Sequence, residues 1–199
     1  MATKGEKTKQ LVLETTAELF WRNSYHGINI NTICKVAGIN KATLYQYYPS
    51  KEELALATIE YHFERTRNFI FESSFNAHRE PLQRLEGIYK RVYASAKRSH
   101  ETDNCCPGCP IGNIGLELAT QNIRIREATH GVFVRFEKYY RSIIRDAKKL
   151  KQARRPLSEV KAVNALISNM HGALAMSKLQ NRPEAIMDAF QTAKRIVFD

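Results

Sequence analysis

Apolar residues recur along this chain at spacings of three and four, without the strict alternation of a strand, so the pattern predicts an all-α protein. Val12, Thr16, Leu19 and Phe20 share one face of a first helix, which starts from a capping box at Thr3 and Glu6 or later at Thr8 and ends before Gly27. Two short helices follow around Gly38, with Ile30, Ile33, Ala37, Ile39 and Leu44 facing inward. From Lys51 the stretch "KEELALATIEYHFERTRNFIFESSF" reads as one long helix with an acidic start that suits the helix dipole. Pro81 opens another, running to about His100, and the cysteine-rich stretch near 105 opens a short one. A long helix spans about Arg124 to Leu150, and Pro156 interrupts the connector that follows.

The last two segments carry Val163, Ile167, Met170 and Leu174, then Ile186, Phe190, Ala193 and Val197, in a four-three-four alternation. Such a seam packs helix against helix, either inside one chain or against a symmetry mate. Gly172 and Ala173 would admit a facing helix at close range. The expectation taken forward is a homodimer interface at Val163, Ile167, Met170, Leu174, Ile186 and Phe190.

The 199 residues carry 31 Lys and Arg against 20 Asp and Glu, a net charge of +11. Such a chain attracts polyanions, nucleic acid first and an anionic membrane second. "MATKGEKTKQ" has no apolar core of a leader, and no run of about 18 apolar residues occurs. The expectation is a soluble cytoplasmic protein without a membrane partner, whose thiols stay reduced.

The segment "INI NTICKVAGIN KATLYQYYPSK", residues 28 to 51, has helix-turn-helix form. Two steeply crossing helices need a small residue at their closest approach, here Cys34, and a turn residue free to take positive φ, here Gly38. Asn29 and Asn40 are placed to cap the two helices. From Leu19 to Lys51 there is no Asp or Glu, while Arg22, Lys35, Lys41 and Lys51 are present, as a phosphate-facing surface requires.

Taken as a whole, "LVLETTAELFWRNSYHGININTICKVAGINKATLYQYYPSKEEL" resembles the DNA-binding domain of TetR-family transcriptional regulators, without a gap over roughly residues 8 to 58. The resemblance implies a homodimeric DNA-binding regulator, commonly a repressor. It divides the chain into a three-helix head, 1–50, and an all-helical domain for a small effector and dimerisation, 51–199. It places Lys41, Ala42, Thr43 and Tyr45 toward the major groove, with Asn31 adding a base contact. Asn29, Gln46, Tyr47 and Lys51 would hold phosphates. Two identical heads about 34 to 36 Å apart would read a palindrome. Where the family commonly has threonine this chain has Ile28, and where it has glycine this chain has Ser24 and Ala42.

"CCPGCPIGNIGLE", residues 105 to 117, concentrates three of the four cysteines. Pro107 and Gly108 suit the centre of a type II turn, and Pro110 suits the first turn of a helix with Cys109 at its N-cap. Asn113 and Glu117 follow Cys109 at steps of four, so Cys105, Cys106, Cys109, Asn113 and Glu117 form a candidate effector wall or thiol switch. Some TetR-family members carry a similar Gly-Cys-Pro or Gly-Cys-Leu segment and certain of them sense electrophiles or oxidants, so by resemblance the switch stands beside a pocket wall or turn without thiol chemistry. Three cysteines fall short of the four donors of a structural zinc site, so a metal-responsive regulator using Cys105, Cys106 and Cys109 is an alternative rather than the expectation. No resident cofactor is expected.

No phosphate-cradling glycine loop, G-x-S-x-G elbow or H-E-x-x-H occurs, which argues against an enzyme. The residual enzymatic alternative is a cysteine nucleophile, Cys109 with His100 or His130. The basic run "RSIIRDAKKLKQARRPLSEVK" reads as a solvated connector rather than a second nucleic-acid surface.

Overall fold

A computed structural model describes residues 3–198. Helix α1 spans Lys4–Asn23, α2 Ile30–Ala37, α3 Lys41–Tyr47 and α4 Lys51–Thr66, followed by a π-helical segment, Arg67–Glu72, and α5, Ser73–Ala77. Then come α6 (Pro81–Asp103), α7 (Pro110–Leu118), α8 (Ile123–Lys149), α9 (Glu159–Gln180) and α10 (Ala185–Val197). Among the described residues there is no strand.

The chain forms two compact units, residues 1–64 with 110–131, and residues 65–109 with 132–199. Beside the expected division at residue 50, α4, α7 and the start of α8 cluster with the head. Linear sequence hides this because α7 enters the first unit only after the chain has traversed α5 and α6.

In the first unit, α1 starts from the reciprocal capping box of Thr3 and Glu6. Its inner face buries Val12, Ala17 and Phe20, with the Thr16 hydroxyl donating to the Val12 carbonyl at 2.7 Å. Ile33 of α2, Leu44 of α3 and Leu54 and Ile59 of α4 complete the core, all essentially inaccessible to solvent. His62 of α4 donates from Nε2 to the Ala17 carbonyl at 3.2 Å, which satisfies a buried polar ring and ties α4 to α1. Helix α7 packs on α1. Where it meets α8, a Cβ on Gly115 would lie 3.3 Å from the Thr129 side chain, a tight approach that a larger residue could keep only if Thr129 gave way by a few tenths of an ångström.

The second unit is built from the remaining helices, with α10 packed on α9 and α6. Tyr89 lies wholly buried, its hydroxyl donating to Asn169 Oδ1 at 2.6 Å and its ring 5.5 Å from that of Phe190. Burial pushes the Tyr89 phenol far above its ordinary range, so it stays protonated as a hydrogen-bond donor. The long helix expected from Lys51 is interrupted at Arg67, where the backbone widens into π form. Within that segment the Phe71 ring stacks on Phe136 at 4.8 Å and Tyr139 at 4.6 Å and meets Tyr140 edge-on.

The residues expected at a dimer interface are largely occupied within the chain. Val163, Met170, Ile186 and Phe190 are already buried within the single chain, so the four-three-four seam is chiefly the joint among α6, α9 and α10. Ile167 and Leu174 are half-buried. The apolar surface that α9 leaves in solvent is a neighbouring strip, Met176 and Leu179 beside the exposed Gly172 and Ala175.

Candidate nucleic-acid interface

The α2–α3 pair is built as a reading element from its caps inward. Asn29 Oδ1 accepts the Thr32 amide at 2.9 Å, and Asn40 Oδ1 accepts the Thr43 amide at 2.8 Å, so each helix begins with an orphan donor satisfied. Gly38 takes φ 66° between them, in the left-handed region. Leu44, fully buried, fixes the rotation of α3 about its own axis. At the adjacent positions Lys41, Ala42, Tyr45 and Gln46 are then left exposed along one edge of α3, Asn31 is exposed on α2, and Thr43 and Tyr47 are half-buried. An edge holding a cation, a methyl group, a phenol and a primary amide can donate to guanine, touch a thymine methyl and hydrogen-bond phosphate.

Lys51 makes contacts within the head. Its Nζ donates to the Tyr25 carbonyl at 2.7 Å and sits 4.2 Å from the Tyr25 ring centroid. Partial burial lowers its pKa, while nearby Glu117 works the other way. The ammonium thus ties the start of α4 to the turn after α1 with one of its three donors. Arg22 is likewise paired with Glu18, which leaves Lys35 and Lys41 as the exposed cations of the acid-free stretch. Asn29 keeps its amide NH2 free of the capping bond, so it retains a group that can meet a phosphate oxygen.

The five residues of the candidate effector or thiol site divide. Cys105, Cys106 and Cys109 belong to the second unit, and none of the three is in a disulfide. Gly108 takes φ 77°, as the third position of a type II turn demands. Cys106 is buried, its amide donating to Asn181 Oδ1 at 2.9 Å, while Asn181 Nδ2 donates to the Asn104 carbonyl at 3.0 Å. Burial, with Cys105 and Glu184 nearby, pushes the Cys106 thiol up, which makes it a poor thiolate. Cys109 is half-buried immediately before α7. Among the described residues, no three His, Cys, Asp or Glu side chains converge as metal ligands.

Asn113 and Glu117 lie in the first unit. Glu117 faces the turn after α1. Its two carboxylate oxygens each accept one backbone amide, from Tyr25 and from His26, both at 2.8 Å. Beside it, Asn122 Nδ2 donates to Glu52 at 2.9 Å, and Arg124 bonds Glu52 and Glu53, each at 2.6 Å. Tyr25, Asn122, Arg124 and Asn181 were not singled out from sequence. Only Asn181 leaves a local sign, an asparagine just past a periodic helix, where left-handed backbone commonly ends it.

Residues 12–58 match the model for bacterial regulatory proteins of the tetR family, and residues 81–193 match the tetracyclin repressor-like C-terminal domain. The chain belongs to the tetR family. This tetR-family regulator is 24% identical over 189 residues to an HTH-type transcriptional regulator of the lacX 3′ region in Lactococcus lactis subsp. lactis, an alignment covering 94% of this chain and 91% of the relative. It is 22% identical to the HTH-type transcriptional repressor DhaR of Mycobacterium sp. (strain GP1), over 96% of this chain and 90% of the relative. Its fold matches a crystal structure of a TetR regulatory protein from Rhodobacter sphaeroides with TM-score 0.84 and 21% identity, covering 94% of this chain and 97% of that one. TetR-family proteins are DNA-binding transcriptional regulators that act as dimers, and they are not enzymes. Among the described residues, no helix is long and apolar enough to cross a membrane.

Proposed function

We propose that this regulator is a repressor that binds a palindromic operator as a homodimer and is released when a small effector occupies its C-terminal domain. The observation that carries the reading is the edge of α3, where Lys41, Ala42, Tyr45 and Gln46 stand exposed over a fully buried Leu44 in a stretch without carboxylates. Similarity to DhaR, a transcriptional repressor, favours repression. The exposed strip of α9 at Gly172, Ala175, Met176 and Leu179 supplies small and apolar residues for a partner helix, continuous with the half-buried Ile167 and Leu174.

Release by thiol modification has an observation of its own. Three cysteines outside any disulfide lie within five residues, and the half-buried Cys109 directly precedes α7. The raised Cys106 thiol makes Cys109 the better candidate to react first.

Lys41→Ala tests the reading. Losing one base-directed donor is expected to cost about 1–3 kcal/mol of specific affinity and to relax preference at one position in each half-site. Binding to unrelated duplex should change far less, and the comparison is made by titration of both duplexes at fixed salt. Specific affinity equal to wild type would overturn the assignment of α3 as the reading helix.

A further inference from the structure

We propose that Glu117 is a positioning residue for DNA recognition, the side chain through which the α7–α8 corner holds the turn that aims α2 and α3. This rests on the DNA-binding reading of the head and assigns a role to a residue far from it in sequence.

The turn at residues 24–27 has little to hold it internally. Ser24 takes φ 97°, unusual for a residue with a side chain, and its hydroxyl accepts the Gly27 amide at 3.1 Å. The bond from the Ile28 amide to the Tyr25 carbonyl is long, at 3.4 Å. The Tyr25 and His26 amides find their acceptors instead on Glu117, at 2.8 Å each. Hydrogen bonds to a carboxylate are roughly twice as strong as neutral ones, and one carboxylate here spans two consecutive amides. From the other side Lys51 takes the Tyr25 carbonyl, and the Tyr25 ring lies 5.3 Å from Phe20 in the core. The Tyr25 backbone is thus gripped on both its polar groups, by α7 and by the start of α4.

A second contact reinforces the corner. Asn122 and Arg124 hold Glu52 and Glu53 in the first turn of α4, and Asn122 Oδ1 also accepts the Ile125 amide at 3.0 Å. The Arg124 side chain is 54% exposed, so solvent screens these ion pairs and the larger share of positioning falls to Glu117. The corner and the turn belong to one compact unit. A nine-residue helix, α7, therefore joins Cys109 at one end to a grip on the reading head at the other, and a tilt of α7 would move the turn that α2 follows.

The test uses Glu117→Gln in the full chain, which keeps size but leaves one acceptor oxygen and turns an NH2 toward an amide donor. Three quantities are read: thermal unfolding, hydrogen exchange of the Tyr25 and His26 amides, and affinity for the duplex that wild type selects. A folded variant is expected to lose protection at those two amides by about tenfold, and operator affinity by about tenfold. A folded variant with wild-type affinity, or with both amides still protected, would overturn the proposal. Should the variant unfold, wild type still decides: amides exchanging at the rate of an open turn contradict the grip, and protected amides support it. Failure of wild type to select any duplex would remove the DNA-binding reading while leaving the exchange result to stand separately.

Discussion

Leu44→Ala is expected to destabilise the first unit by about 2–5 kcal/mol and to abolish operator binding at temperatures where wild type is still folded. The side chain is wholly buried and is the one residue of α3 buried in the head. Truncation removes burial energy and leaves a cavity that a seven-residue helix cannot close without rotating. Rotation is what recognition cannot tolerate, because the buried Leu44 sets the rotation of α3 that turns Lys41, Ala42, Tyr45 and Gln46 outward. Denaturant unfolding followed by circular dichroism gives the first quantity, and titration of labelled operator the second. A stable variant that still binds its operator would show that α3 is positioned by something other than its core contact.

Phe190→Ala should cost about 3–5 kcal/mol, a loss centred on the second unit. Its ring is buried against Tyr89, whose hydroxyl is committed to Asn169, so the cavity opens beside a buried polar pair. The same substitution separates the two meanings of the α9–α10 seam. If Phe190 is core, the loss relative to wild type stays constant across a roughly hundredfold range of protein concentration. If it were interface, the loss would appear mainly as weaker association and shift with concentration. Thermal unfolding at several concentrations decides between them.

The reading head was legible in the sequence because its determinants are local. Asn29 and Asn40 sit three residues before the amides they cap, Gly38 sits in the turn, and Leu44 follows the apolar spacing of a two-turn helix. The contact of Lys51 with the turn after α1 was not legible for the opposite reason. A lysine at the start of a helix looks free in one dimension, and its partner, the Tyr25 carbonyl, lies 26 residues away. Glu117 is a stronger case, separated from the amides of Tyr25 and His26 by 92 and 91 residues. Spacing placed it on a polar stripe but could not say what the stripe faces. The α9–α10 seam shows a further limit: a four-three-four pattern reports that a helix face is buried without reporting which chain buries it. For the cysteines, sequence located the turn and the start of α7, whereas the burial of Cys106 depends on Asn181 at the far end of α9.

These pieces assign separate tasks to separate parts of the chain. In the proposed function the edge of α3 carries sequence preference, the grip of Lys51 and Glu117 on Tyr25 fixes its aim, and α7 leads away from that grip toward Cys109. On that proposal an effector or a modified thiol would act by shifting α7, and the free energy of release would be bounded by the difference in its affinity for the two arrangements.

The central claim is that two copies of this head read an inverted repeat through α3. The most direct measurement is selection of preferred duplexes from a random pool by wild-type protein and by Lys41→Ala at the same salt. The account predicts an inverted repeat whose half-site centres lie about one helical turn apart, or a multiple of it, with preference at one symmetric pair of positions relaxed in the variant. Enrichment of no sequence, or of the same sequence with undiminished preference in both proteins, would contradict it.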